Sequence, residues 1–277
     1  MLGRLKQNIK LGLLRAGLVP LRSEQYCELR RQLAVSEAIV HLCDYAWQNK
    51  LTDMESRFVD FAMKTRATSN SQFAQDLFVA FVFGDDRDGT FIEFGGADGI
   101  THSNSLSLEK RGWRGALIEP NPFEYPLLKR NRPNTLSYNA AIKCSDSDYA
   151  ELIVVGQLSS IRGYEDRDFH ADTRRNSTVR STVRCIELDE VVRRLAPDRG
   201  EIDYISMDTE GTEVPILQRF GFSNGPLTFT IETNSRADDE AAIRAILHKK
   251  GYKEPFSHNI SRTDLWFVRE DQYERLV

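Results

Sequence analysis

The segment from Thr90 to Pro120, TFIEFGGADGITHSNSLSLEKRGWRGALIEP, constrains the fold more than any other part of the chain. Phe91, Ile92 and Phe94 make a short apolar run bounded by turn residues, as a strand buried between layers of helix requires. Gly95, Gly96 and Gly99 then allow a tight turn and a close approach of backbone to a ligand, which a Cβ would obstruct. Ser103 to Lys110 repeats apolar residues at helical spacing, Gly112 ends that helix, and Ala116, Leu117 and Ile118 form a second strand closed by Glu119. The unit reads as strand, glycine loop, helix, strand, with an acid at the carboxyl end.

The same alternation continues beyond Pro120. Tyr125–Asn131, Leu188–Leu195, Thr212–Phe220 and Asp239–Lys250 read as helices, and Thr135–Ile142, Ile202–Met207 and Leu227–Ile231 as strands. Ala150–Val155 and Ser181–Ile186 read as extra strands enclosing a polar stretch, Ser159–Thr178, expected as a long loop of the kind that covers substrates or makes a surface excursion. Tyr252–Ser257 and Asp264–Val268 have no helical pattern between them and predict a terminal antiparallel pair. The fold class is therefore α/β, a Rossmann-like doubly wound sheet ending in antiparallel strands. It divides into an N-terminal helical extension over 1–70 and the sheet domain over 71–277. In the extension, Leu29, Leu33, Ile39, Leu42 and Trp47 fall at helical spacing and predict a buried face.

Charge discriminates between cofactors for the glycine loop. A loop that holds a pyrophosphate offers backbone N–H groups and a helix N-terminus, and carboxylates oppose it. Here Glu93 and Asp98 flank the turn, which suits S-adenosylmethionine, a donor with an ammonium and a sulfonium and no phosphate. Glu119 follows Gly99 by about twenty residues, the spacing at which an acid accepts both ribose hydroxyls of a bound adenosine. NAD would use the same acid, but the third glycine of the dinucleotide fingerprint is missing. The expected cofactor-binding residues are Glu93, Gly95, Gly96, Ala97, Asp98, Gly99, Ser103 and Glu119. The antiparallel ending also suits a methyltransferase sheet better than a dehydrogenase sheet.

Four stretches carry a family resemblance: SQFAQDLFVAFVF (71–83), FIEFGGADGITHSNSLSLEKRGWRGALIEPNP (91–122), YISMDTEGTEVPIL (204–217) and TIETN (230–234). Together they resemble the FkbM family of methyltransferases across roughly 71–268, most specifically in GWRGALIEPNP and DTEGTE. The resemblance implies a class I methyltransferase domain dependent on S-adenosylmethionine and, most often, O-methylation of a sugar, glycan or other hydroxylated metabolite. It does not name the acceptor.

In open α/β sheets ligands bind at the carboxyl ends of the strands. Asp208, Glu210 and Glu232 lie there, and they are the candidate catalytic residues. Methyl transfer to a hydroxyl needs the oxygen held in line and a base for its proton, both of which a carboxylate supplies. Asp208 is the first choice for base or acceptor orienter; Glu210 and Glu232 would bind acceptor hydroxyls. Alternatively the three would hold a divalent cation, Mg²⁺ or Ca²⁺ by their oxygen chemistry. Glu213 reads as a first-turn carboxylate of the following helix. His102, His170 and His258 have no partner legible in the sequence, and Arg174 and Arg175 read as a solvated pair or, alternatively, as a contact for an anionic acceptor.

The net charge of −4 over 277 residues, with dispersed basic residues and no aromatic platforms between them, excludes a nucleic-acid module. Four scattered cysteines without paired spacing argue for reduced thiols, and no apolar run reaches the ~20 residues of a membrane span. The expected location is the cytoplasm. Residues 1–22 carry five basic residues, no acid, and Leu2, Leu5, Ile9 and Leu13 at helical spacing. They suit packing on the chain's own domain or on a second subunit in a homo-oligomer, or peripheral contact with an anionic membrane. Two further function classes stay open: a non-catalytic S-adenosylmethionine-binding interaction protein and an NAD-dependent oxidoreductase.

Overall fold

All five residues of the strand Thr90–Phe94 are buried, as an apolar run with helices on both faces demands. The computed structural model of the protein describes residues 23–84, 87–166, 170–196, 201–223 and 225–277. In chain order the strands are β1 (Thr90–Phe94), β2 (Arg114–Ile118), β3 (Leu136–Tyr138), β4 (Ala141–Ile142), β5 (Tyr149–Ile153), β6 (Ser160–Ile161), β7 (Arg180–Ile186), β8 (Tyr204–Met207), β9 (Thr228–Glu232), β10 (Tyr252–Lys253) and β11 (Asp264–Arg269). The helices are α1 (Ser23–Gln48), α2 (Asp53–Thr65), α3 (Gln75–Phe83), α4 (Leu106–Lys110), α5 (Tyr125–Asn131), α6 (Ala171–Asn176), α7 (Leu188–Leu195), α8 (Glu213–Arg219), α9 (Ala237–Lys249), α10 (His258–Ser261) and α11 (Glu270–Leu276).

The main sheet runs β10-β11-β9-β8-β1-β2-β3. β1 pairs in parallel with β2 on one side and β8 on the other, so the strand order reverses at β1 and opens a crevice at its carboxyl end. β11 is antiparallel to both β9 and β10. At the β1–β2 pair, Gly115 lies opposite Phe91, and a Cβ there would stand 2.1 Å from the Phe91 ring. The sheet therefore closes on glycine at that point. A second, four-stranded sheet, β4-β7-β5-β6, lies beside the first.

One face of the main sheet is covered by α7, α8 and α9 through Val191, Val192, Ile216, Leu217, Ile243 and Leu247. The other is covered by α1, α2 and α3, whose Ile39, Leu42, Phe58 and Phe78 share a core with Phe91, Leu117 and Trp266. Thr52 starts α2 with a capping box, its side chain taking the Glu55 N–H while the Glu55 carboxylate takes its own.

Several sequence expectations change. Thr135–Ile142 is not one strand: β3 belongs to the main sheet and β4 crosses to the small one. The polar stretch 159–178 contains β6 and α6, and α6 is ordered by a buried arginine instead of an apolar stripe, so hydropathy periodicity does not reveal it. The terminal pair is interrupted by α10, and a further helix, α11, ends the chain. Trp47 is 92% exposed, because α1 packs through Val35, Ala38, Ile39 and Leu42 and turns Trp47 away. The side chains of Leu29 and Leu33, and the whole of 1–22, fall outside the described residues. Among the described residues no helix is long and apolar enough to cross a membrane.

Candidate active site

At the carboxyl ends of β1, β8 and β9 a cavity of about 270 Å³ opens between the glycine loop and the strand-end acids. Gly95 is the hinge of its floor. Its φ is +72°, and a Cβ would stand 2.2 Å from the Asp208 carbonyl oxygen, so only glycine brings β1 and β8 this close. Its N–H donates to the Ile118 carbonyl at 3.0 Å. Gly96, Ala97 and Ser103 also line the cavity. Eight non-glycine residues take positive φ among those described, and four of them, Ala97, His102, Glu210 and Asn234, line this cavity. Backbone strain of that kind gathers where a site is held in shape by its surroundings.

Glu93 is buried and its carboxylate accepts from the Ser103 hydroxyl at 2.9 Å, the Asn104 N–H at 2.7 Å and the Ser105 hydroxyl. It thereby fixes the chain that leads into α4. Burial pushes its carboxyl up, against the opposing pull of Arg132. Asp98 and Gly99 do not line the cavity, contrary to the sequence expectation. Asp98 instead closes its own turn, accepting from the N–H groups of Ile100 and Thr101 at 2.9 and 2.7 Å. Gly99 packs on Arg132 and Leu128.

Glu119 follows β2 directly and is buried; its two oxygens accept from the Ala97 N–H and the Asn121 N–H, each at 2.7 Å. Burial raises its carboxyl to about 7. It lines a second, smaller cavity of about 50 Å³ with Ile118, Pro120, Ala140 and Ile142. The two cavities share Phe94, Gly95, Gln157, Asp208 and Glu210, so they form adjoining halves of one site.

Asp208, Glu210 and Glu232 converge as the strand order requires, each presenting a carboxylate oxygen within 4.8 Å of the other two. Burial, followed by the Asp208 charge, holds the Glu232 carboxyl well above the usual carboxylate range. Asp264, opposite Glu232 in the β9–β11 register, adds a fourth acid. It accepts from the Gln75 amide at 2.7 Å, and burial raises it to about 7. Glu210 is not a free carboxylate: Arg174 contacts it at 2.7 Å with its own side chain fully buried. The solvated reading of Arg174 is thus corrected. Glu213 shapes the DTEGTE turn, accepting from the Thr209 N–H at 2.8 Å and the Gly211 N–H at 3.1 Å. Oxygen donors alone suit Mg²⁺ or Ca²⁺, yet a guanidinium already neutralises one of the three.

His102 and His170 line the larger cavity, whereas the His258 side chain lies outside the described residues. Asp264 and Gln75 were not foreseen as site residues, and Arg174 only as a contact for an anionic acceptor, not as the partner of Glu210. Asp264 had a signal, since it opens the strand that pairs with TIETN. Arg174 and Gln75 had none, because each reaches the site from a distant element.

No curated protein matches the chain. Among solved structures it is similar to a protein described as an RNA methyltransferase from Pyrococcus horikoshii, at 9% identity and a TM-score of 0.37, covering 79% of this chain and 99% of that one. It is also similar to a human methyltransferase 10 domain containing protein, at 11% identity and a TM-score of 0.36, covering 80% and 99%. Likeness at that level carries no argument about chemistry. The description "Methyltransferase FkbM domain" matches residues 93–254, more than half of the 277 residues and a span that includes the glycine loop, Glu119 and all three converging acids. The chain belongs to the FkbM methyltransferase domain family.

Proposed function

We propose that the protein transfers the methyl group of S-adenosylmethionine to a hydroxyl of a sugar, glycan or other hydroxylated metabolite. The observation that carries this reading is the charge of the site. Five acidic side chains line the larger cavity and, among the described residues, no lysine or arginine does, although Arg174 pairs with Glu210 from outside it. A sulfonium and an ammonium gain from that field, whereas a dinucleotide pyrophosphate would be repelled. The small apolar half beside Glu119 suits the adenosine, with the carboxylate on the ribose hydroxyls. The larger half takes the methionine part and the acceptor, beside polar side chains such as Gln72, Gln157 and Asn234 that suit a hydroxyl-rich molecule.

Bound beside these acids, S-adenosylmethionine would supply its methyl group to the acceptor oxygen and depart as S-adenosylhomocysteine, its sulfur keeping the electron pair of the broken carbon–sulfur bond. Asp208 accepts the hydroxyl proton as the new bond forms, and Glu232 orients the acceptor. A divalent cation on Asp208 and Glu232 is the alternative use of the same oxygens.

Thermal shift with S-adenosylmethionine, S-adenosylhomocysteine and NADH tests the cofactor. Both adenosyl ligands should stabilise the wild type, and Glu119→Ala should abolish the effect; stabilisation by NADH alone overturns the reading. Asp208→Asn should retain S-adenosylhomocysteine binding and lose turnover by about 10²–10⁴, the usual contribution of a positioned base. Wild-type turnover in that variant would remove Asp208 from the mechanism. Binding with no turnover in the wild type on any hydroxylated acceptor would favour the interaction-protein alternative.

A further inference from the structure

Arg174 has no exposed surface, although it belongs to a six-residue polar helix whose neighbours Arg175 and Asn176 are exposed. Its guanidinium serves three directions at once. Nε donates to the Leu158 carbonyl at 2.6 Å, Nη1 to the Glu165 carbonyl at 3.4 Å, and Nη2 to the Glu210 carboxylate at 2.7 Å. The turn from Gly156 to Ser160 is held between two anchors. On one side the Asn121 amide donates to the Gly156 carbonyl at 3.1 Å, two residues beyond Glu119. On the other the Ser160 hydroxyl donates to the Glu210 carbonyl at 2.9 Å, alongside the Arg174 contacts. Gly156, Gln157 and Ser159 line the smaller half of the site and Gln157 and Leu158 the larger one, so this turn forms the wall where the halves meet.

Glu210 itself stands at φ +58°, a conformation that a side chain other than glycine adopts only when its surroundings enforce it. An unpaired arginine at this depth would be strongly unfavourable, so the pair and the turn are fixed together or not at all. A lysine carries the charge but cannot reach three acceptors in one plane.

We infer that Arg174 is a positioning residue: it locks Glu210 and the Gly156–Ser160 turn against each other and so sets the wall that receives the acceptor. The inference builds on the methyl-transfer reading, in that the wall is an acceptor wall only if the adjoining half holds the cofactor. Arg174 Nε holds the carbonyl of Leu158, which lines the larger half and not the smaller one, so its effect should fall first on the acceptor side.

The test compares wild type, Arg174→Lys and Glu210→Gln by amide hydrogen exchange without ligand, by calorimetric titration with S-adenosylhomocysteine, and by kinetics on methyl glycosides of common hexoses. In Arg174→Lys, exchange across 156–161 should accelerate by about tenfold or more, as losing a charge-assisted hydrogen bond implies. S-adenosylhomocysteine affinity should stay within about threefold, and the acceptor KM should rise far more than kcat falls, the mark of lost acceptor positioning. Glu210→Gln is read by exchange alone and should loosen the same turn; it also decides the matter if Arg174→Lys does not fold. Unchanged exchange at the turn in both variants overturns the inference, as does a cofactor affinity that falls in step with the acceptor kinetics. Where no glycoside turns over, exchange and cofactor affinity decide. Wild-type protein that fails to bind S-adenosylhomocysteine refutes the methyl-transfer reading, while the exchange result still judges the lock.

Discussion

Burial raises the carboxyls of Glu119 and Asp264 to about 7 and pushes Glu93, Glu213 and Glu232 in the same direction. The consequence for stability has a definite sign. In the unfolded chain these groups titrate near about 4, so between there and neutrality the folded state holds more protons. Stability is therefore fully present at the acid end of that window and falls as pH rises through it, with the Glu119 and Asp264 contributions lost once those two ionise near 7. The melting temperature of the ligand-free protein should decline by several degrees from pH 5 to pH 8. Asp264→Asn, which keeps an acceptor for the Gln75 amide, should flatten the decline; a profile as steep as the wild type's would show that Asp264 does not carry it. Paired groups such as Asp271, held at about 2 by Arg269, titrate below the window and do not disturb it. At this scale, residues tied to a strand end were legible in the sequence, since the end of an apolar run fixes where Glu119, Asp208 and Glu232 stand. The turn contacts of Asp98 were not legible, because a carboxylate beside a glycine turn can satisfy the turn's own N–H groups as readily as face a ligand.

Elements were legible where burial is two-sided. β1, β2, β8 and β9 are buried along nearly their whole length, and short segments rich in apolar and β-branched residues between turn signals have few other readings. Legibility failed where pairing partners decide the structure. The break between β3 and β4 depends on which sheet each joins, and α6 depends on an ion pair with a residue 36 positions away. The β1–loop junction permits a sharp test. Gly95→Ala would place a non-glycine residue at φ +72° and drive its Cβ to 2.2 Å from the Asp208 carbonyl. The conformation alone costs about 1–3 kcal/mol, and the clash forces β1 and β8 apart at the proposed cofactor site. Thermal melting should fall accordingly, and S-adenosylhomocysteine binding should be lost more completely than the stability change explains. Retained binding would mean that the loop does not need this close approach.

Across the whole molecule, the division at residue 70 expected from the sequence runs through continuous packing. Asp76 accepts from the Ser69 hydroxyl, the Asn70 N–H and the Ser107 hydroxyl, each at 2.7 Å, and so ties the end of the helical extension to α4 beside the glycine loop. Phe58 in α2 has no exposed surface. Its ring stacks on Phe256 at 4.8 Å and meets Trp266 edge-on at 5.7 Å, both contributed by the last quarter of the chain. Tyr45 of α1 reaches the same region through a 2.6 Å hydrogen bond with Ser257. The extension thus adds to the helical layer that α3 lays on the sheet, and without it Phe78, Phe256 and Trp266 would lose the Phe58 ring packed on them. Phe58→Ala should cost about 3–5 kcal/mol, the range for removing a fully buried aromatic ring, with cofactor binding preserved in the folded fraction. A fragment spanning 71–277 should lack a cooperative thermal transition and fail to bind S-adenosylhomocysteine at any temperature. If that fragment instead melts in one sharp transition and binds the ligand with wild-type affinity, the first 70 residues are an appended domain and the shared aromatic core does not hold the fold together.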